Sequence, residues 1–367
     1  MEQEKLQTTI FTLENELKKY ENKEFNVYFF VLDTKGNPSG TLRYIYQTAK
    51  SLADKGYKVT MLHQEKEFVG VADWLGEEYA ALPHKNVEKE NVEIGAADFV
   101  FIPEIYANVM SQTKNLPCKR VALLSNLGYL TEVIPVGVTW ENMGIRDVVT
   151  TSKSFKTTIK DYFPDVNARV VAPFIPEIFK KNEKPKNLLI NCICKNPSDI
   201  NKIIKPFFWK YPIYKWVSFR DLRGLPQDVF AEALRDSAIT IWIDDDSSFG
   251  LSLLESVKCG CLTLAKVPDN IADWMIDDTH TLDKSVIWFD DIQNVPDMVA
   301  SIVRTWLIDE VPAELETEAE RVRGLYSQRE HEAQVVDVYI NGIFKDRENE
   351  IKEAIEQFKA QLNNNEK

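Results

Sequence analysis

The chain has 367 residues, of which 44% are hydrophobic and 28% charged, with a net charge of -13. That length accommodates two domains with full cores, the composition is that of a globular protein, and the acidic balance argues against a general nucleic-acid binder, whose footprint is basic. No apolar run reaches the ~20 residues of a membrane span, the charged N-terminal stretch has no signal-peptide core, and the five cysteines fit a reducing compartment, so the expected location is the cytoplasm.

In chain order, Leu6, Ile10, Leu13 and Leu17 recur at helical spacing and predict an amphipathic helix ahead of the first strand. "FNVYFFVLD" (25–33) is an apolar run of strand length, "TKGNPSGT" (34–41) is a turn, and "LRYIYQTAKSLADKG" (42–56) repeats apolar residues every three or four positions up to Gly56. "YKVTMLHQ" (57–64) closes a βαβ unit. "ADFVFIPE" (97–104), "KRVALLSN" (119–126), "DVVTTS" (147–152) and "ARVVAP" (168–173) follow as buried strands, and runs without a polar face suit a parallel sheet covered on both sides.

The Pro- and Lys-rich stretch "PFIPEIFKKNEKPKN" (173–187) reads as a linker. The alternation then restarts, with strands predicted in "NLLINCI" (187–193), "IYKWVSF" (213–219), "SAITIWI" (237–243), "CLTLAKV" (261–267) and "SVIWF" (285–289), and a charged amphipathic helix closes the chain. The expected fold class is α/β, two tandem doubly wound Rossmann-like domains with a ligand cleft between them. The expected division is residues 1–172, residues 173–344 and a final helix, 345–367, that packs back on the first domain.

Chemistry concentrates after the 237–243 strand, where "DDDSSFGLSLLE" (244–255) runs from a polar turn into a helix start. The free N–H groups of a first helical turn and the dipole behind them make an anion site. Gly250 allows close approach to the backbone, and Glu255, one turn on, is placed to accept paired bonds from ribose hydroxyls. Spacing alone favours the plainer reading, a solvated glutamate on an amphipathic helix.

"SFGLSLLESVKCGCLTLA" (248–265) resembles the donor segment of GT-B glycosyltransferases, most closely the retaining family 4. The resemblance implies that Glu255 holds the donor ribose and that Phe249, Gly250 and Leu251 face the donor phosphate and sugar. The family's sugar-contacting glutamate falls on Ser247, with Asp246 beside it as a substitute. The loop at 37–41 resembles the family's glycine loop and gives Gly40 and Thr41 the phosphate and acceptor wall. In "CICKNPSDINK" (192–202), Lys195 and Lys202, with Lys205 in reserve, match the cations that neutralise the donor diphosphate; two solvated surface lysines are the competing reading. The resemblance covers most of the chain and is strongest over 241–265.

What it implies is sugar transfer from a nucleotide-sugar donor, which is a substrate and not a cofactor, to a glycan, lipid or protein acceptor, with retention and without a metal. A catalytically weakened subunit that binds a partner or glycan, motivated by Ser247, and a nucleotide-sugar epimerase are the alternatives. Donor base, sugar, acceptor and oligomeric state are not specified by these residues.

Three patterns invite other chemistry. Asp244, Asp245 and Asp246 read as turn and capping acids rather than a metal chelate. Cys192, Cys194, Cys259 and Cys261 read as buried free thiols, because structural zinc pairs usually have at least two residues between the cysteines. "KPFFWKYPIYKW" (205–216) reads as a core helix end, with peripheral membrane contact as the lesser reading. His63, His84, His280 and His331 show no triad or metal spacing.

Overall fold

The computed structural model describes residues 2–247, 249–308 and 312–365. Helix α1 (Glu2–Lys18) precedes β1 (Asn26–Phe30), α2 (Gly40–Asp54) and β2 (Lys58–His63), followed by β3 (His84–Asn86), β4 (Phe99–Pro103), β5 (Lys119–Leu124), β6 (Asp147–Thr150) and β7 (Asn167–Val170). These strands form one parallel sheet in the order β3-β2-β1-β4-β5-β6-β7. A second parallel sheet, β12-β11-β10-β8-β9, is built from β8 (Asn187–Cys194), β9 (Ser218–Asp221), β10 (Ser237–Ile243), β11 (Leu262–Lys266) and β12 (Ile287–Phe289). The fold is the expected pair of doubly wound α/β sheets.

Each sheet is covered on both faces, as its apolar strands require. One face of the first sheet packs Phe29, Phe101, Tyr44 and Tyr46; the other packs Phe30, Ile102, Trp140 and Phe155. The second sheet has Trp242, Leu253 and Trp274 on one side and Ile190, Phe207 and Ile241 on the other.

The stretch 173–187 is not a free linker, since Phe174, Ile175 and Phe179 are buried and Gln47 Nε2 donates to the Phe174 carbonyl at 3.0 Å. The C-terminal part returns to the first sheet before residue 345: Val335, Tyr339, Ile343 and Phe344 already pack in its core. The 345–365 helix then lies along α1, where Ile351 and Ile355 meet Ile10. The 205–216 stretch divides, with Phe207 in the core while Trp209 and Trp216 are 76% and 55% exposed beside exposed Ile213. Among the described residues no helix is long and apolar enough to cross a membrane.

Strand order places the site. In the first sheet the chain leaves β1 toward β2 and returns on the other side as β4; in the second it leaves β8 toward β9 and returns as β10. At such a switch the connections at the carboxyl ends of the strands diverge and leave a crevice. The two crevices face each other across one cleft of about 430 Å³, walled by the loops after β1, β5, β8 and β10.

Candidate active site

The loop after β10 carries the second sheet's wall. Gly250 adopts φ +67, the left-handed region, and starts the 251–258 helix. A side chain there would be strained, and a Cβ would also run into the methyl of Met275. The Phe249 side chain is buried against Tyr326, and its carbonyl accepts the Trp274 indole N–H at 2.7 Å. These contacts turn the Phe249–Leu251 backbone toward the cleft. Leu251 meets the opposite wall, where a Cβ at Gly40 would lie 3.2 Å from Leu251 Cδ1. A small residue at position 40 is what lets the two walls approach.

Glu255 is 2% exposed and lines the cleft. Its counter-charge comes from the other sheet: Arg43 Nη1, on α2, stands 2.5 Å from Glu255 Oε1. Glu255 Oε1 is engaged by that ion pair, while Arg43 Nε is buried without a hydrogen-bond partner. Burial pushes the Glu255 carboxyl above the ordinary carboxylate range, and Arg43 opposes that shift. A carboxylate has about four lone-pair sites, so a buried one at the edge of a cleft that meets a single cation is suited to a ligand that brings hydroxyl donors.

Lys195 follows β8, and its backbone N–H donates to the Ile243 carbonyl at 2.9 Å, holding it beside the end of β10. Its ammonium lies 2.7 Å from Asp246 and 3.9 Å from Asp244. Burial works to lower the Lys195 ammonium, but the two aspartates outweigh it and hold its pKa above the usual lysine value. Asp244 is pushed up to about 6 by burial against the pull of Lys195, with Asp246 and Asp245 adding to the rise. Asp245 pairs with Lys266 at 2.7 Å, so the triplet is engaged by lysines. The Asp246 carbonyl accepts from Asn126 Nδ2 of the first sheet at 2.8 Å, and Ser247 lines the cleft beside it.

The expected site residues Gly40, Thr41, Lys195, Asp246, Ser247, Phe249, Gly250, Leu251 and Glu255 all come together on the cleft. Lys202 does not. It stands on the exposed face of the 197–210 helix, bonded to Asp199 one turn earlier at 2.7 Å, while Ile203 and Phe207 take the buried face. Lys205 is exposed on the same helix, and Arg223, in the loop after β9, is the second cation on this wall.

Arg43, Asn126, Glu104 and Arg223 were not singled out by the sequence reading. Arg43 falls three residues after Gly40, hence on the same helical face, and Glu104 and Asn126 close apolar strands, which is the available signal for each. Cys192, Cys194, Cys259 and Cys261 are free and buried. Among the described cleft residues there is no histidine. His63 stacks on Phe68, and burial brings His84 down to about 4.

No protein-family model matches the chain. Over 126 residues it is 25% identical to an alpha-1,6-glucosyltransferase of Actinobacillus pleuropneumoniae serotype 7, a match that takes in 31% of this chain and 38% of that relative. Solved structures match far more of it. TarM of S. aureus, in complex with UDP among other ligands, aligns with a TM-score of 0.62 at 9% identity, covering 85% of this chain and 99% of that one. The pneumococcal O-GlcNAc transferase GtfA, in complex with UDP and GlcNAc, aligns at 0.58 and 7% identity over 89% and 99%. Sucrose-phosphate synthase of Thermosynechococcus elongatus aligns at 0.58 and 12% identity over 86% and 98%. Two facing parallel sheets, a cleft between their switch points and this agreement along nearly the whole length of glycosyltransferase structures make this a protein of the GT-B fold.

Proposed function

We propose that the protein is a glycosyltransferase that takes a sugar from a nucleotide-sugar donor bound against the second sheet and passes it to an acceptor held against the first. The observation that carries this reading is Glu255: a buried carboxylate on the cleft wall, one turn into a helix that opens on a left-handed glycine and paired with Arg43 of the facing sheet. A ribose supplies the paired hydroxyls that such a group accepts. The first turn of that helix and Lys195 supply positive potential for the diphosphate next to it. The diphosphate takes Lys195 from Asp246, and Asp246 and Ser247 then stand beside the transferred sugar. UDP in the TarM and GtfA structures, and the glucosyltransferase relative, make UDP-sugars the first donors to test.

Retention is part of the proposal. When both partners react on one face, the leaving phosphate can take the proton of the acceptor hydroxyl, so that course needs no separate general base. The acceptor is a hydroxyl-bearing glycan, lipid or protein.

Calorimetry with UDP, GDP and ADP, followed by nucleotide release from the matching sugar donors, tests the reading. Glu255→Gln should weaken nucleoside-diphosphate binding by about 1–3 kcal/mol, the worth of a hydrogen bond to a charged group. Unchanged affinity would remove the donor assignment. Tight nucleotide binding with no release from any donor would leave a nucleotide-binding subunit instead of an enzyme.

A further inference from the structure

Glu104 directly follows β4 and opens a 3-10 turn, is 1% exposed, and has no role in the donor site. Its Oε1 receives three bonds, from Ser125 N at 3.2 Å, Ser125 Oγ at 2.9 Å and Asn126 N at 2.8 Å, while Oε2 is buried without a partner. Ser125 Oγ also lies 2.8 Å from Thr41 Oγ1. Thr41 and Ser125 both line the cleft.

The direction of this chain follows from counting protons. A serine hydroxyl has one proton, and that of Ser125 is committed to Glu104. The Thr41–Ser125 bond therefore has Thr41 as its donor. With its own proton spent, the Thr41 hydroxyl can offer the cleft only lone pairs. A phosphate oxygen, which also only accepts, finds no bond at that hydroxyl; an acceptor hydroxyl does. The polarity is the same whether Glu104 is ionised or neutral, because Oε1 accepts two backbone N–H groups in either state.

We infer that Thr41, Ser125 and Glu104 form a one-way hydrogen-bond chain that binds the acceptor substrate by the proton of its hydroxyl, with Thr41 Oγ1 as the receiving atom and Glu104 as the positioning residue behind it. The inference rests on the glycosyltransferase reading and deepens it: it names an uncharged hydroxyl, not the donor phosphate, as the partner of Thr41 Oγ1.

The chain is adjustable. Burial raises Glu104 to about 7, opposed only by its hydrogen bonds. No charged side chain of the described residues pairs with it. The titratable group that senses it is Tyr44 on α2, which meets Tyr339 of the returning C-terminal part, and burial keeps both phenols protonated. A bond to a carboxylate is about twice as strong as one to a neutral oxygen. The chain therefore tightens as pH rises through the Glu104 value and loosens below it.

The test uses the full chain, UDP-glucose as donor probe, and methyl α-D-glucopyranoside and glycerol as acceptor probes, with UDP release as readout. Thr41→Val should raise the acceptor KM up to about tenfold, the loss of one hydroxyl–hydroxyl bond, and Thr41→Ser should restore it, while calorimetric UDP affinity stays at the wild-type value in both. The wild-type acceptor KM should fall between about pH 6 and about pH 8. Glu104→Gln keeps the three accepted bonds and cannot titrate, so its profile should be flat. If neither probe is used, the same comparison is made in donor hydrolysis, where water is the hydroxyl held and the rate is read. An unchanged KM or rate in Thr41→Val, or a Glu104→Gln profile that still follows the wild type, overturns the chain and leaves the transferase reading standing. A wild type that binds UDP and releases none from UDP-glucose overturns both.

Discussion

Arg43→Met separates the two charges that meet across the cleft. Glu255 would remain buried with its counter-charge gone, and removing one partner of a buried pair typically costs about 3–5 kcal/mol. The carboxyl can escape by taking up a proton. Holding a carboxyl of ordinary pKa ~4.3 protonated at pH 7 costs about 4 kcal/mol, and that ceiling falls by about 1.4 kcal/mol per pH unit on acidification. Near pH 5 it is only about 1 kcal/mol. In the wild type burial already raises Glu255 against the pull of Arg43, so these figures are upper bounds on the difference. The sign follows from the direction of the shift: a carboxyl raised above its unfolded value destabilises nothing below the unfolded pKa, and destabilises increasingly as pH climbs toward the folded one. Urea unfolding of the wild type, Arg43→Met, Glu255→Gln and the double variant at pH 5 and pH 8 reads the effect. The single Arg43 variant should lose much more at pH 8, and the double variant should recover most of that loss. Equal losses at the two pH values, or a double variant no better than the single, would refute the argument.

Gly250→Ala combines a left-handed backbone with a collision at the Met275 methyl and should lower stability by roughly 2–4 kcal/mol; a thermal midpoint within a degree of the wild type would show that the loop relaxes freely. Lys195→Ala should reduce affinity for UDP far more than for uridine, and equal losses in calorimetry would mean that the lysine serves only its aspartates. Asp273 caps the 153–162 helix from the other sheet, accepting from Lys153 N at 2.7 Å and Ser154 N at 2.9 Å. Asp273→Ala should remove about 1 kcal/mol from the contact between the two halves and increase the radius of gyration in solution scattering, and an unchanged radius would place the holding force elsewhere.

Much of the fold is legible in the sequence because parallel strands covered on both faces are continuous apolar runs. β1, β2, β4, β5 and β10 lie within the runs that predict them. β3 escapes because "HKN" has no apolar signal and is a strand only by pairing at the sheet edge, Met61 with His84. "IYKWVSF" predicts a strand five residues early; Pro212 starts a tight turn, and β9 runs from Ser218 to Asp221. The donor-side site was readable through residue types held in one short segment. Arg43 and Glu104 were not, because polar residues on an amphipathic helix or after a strand end read as solvated; the facing sheet covers Arg43, and the loop after β5 covers Glu104. Lys202 failed in the opposite direction, since adjacency in sequence to Lys195 says nothing about which side of a helix it takes.

The return of the C-terminal part to the first sheet has a consequence for how the protein is made. Tyr339 and Phe344 complete an aromatic cluster with Phe25, Phe29, Phe99 and Phe101. Domains usually fold in the order in which they leave the ribosome. Here the first half emerges early yet lacks four of its buried apolar side chains, Val335, Tyr339, Ile343 and Phe344, until synthesis is almost finished. The second sheet, whose strands end at Phe289, is complete first. A nascent chain stalled near residue 326 would carry a finished second half tethered to an unfinished first half with bare phenylalanines, and it is the N-terminal half that a chaperone would have to shield.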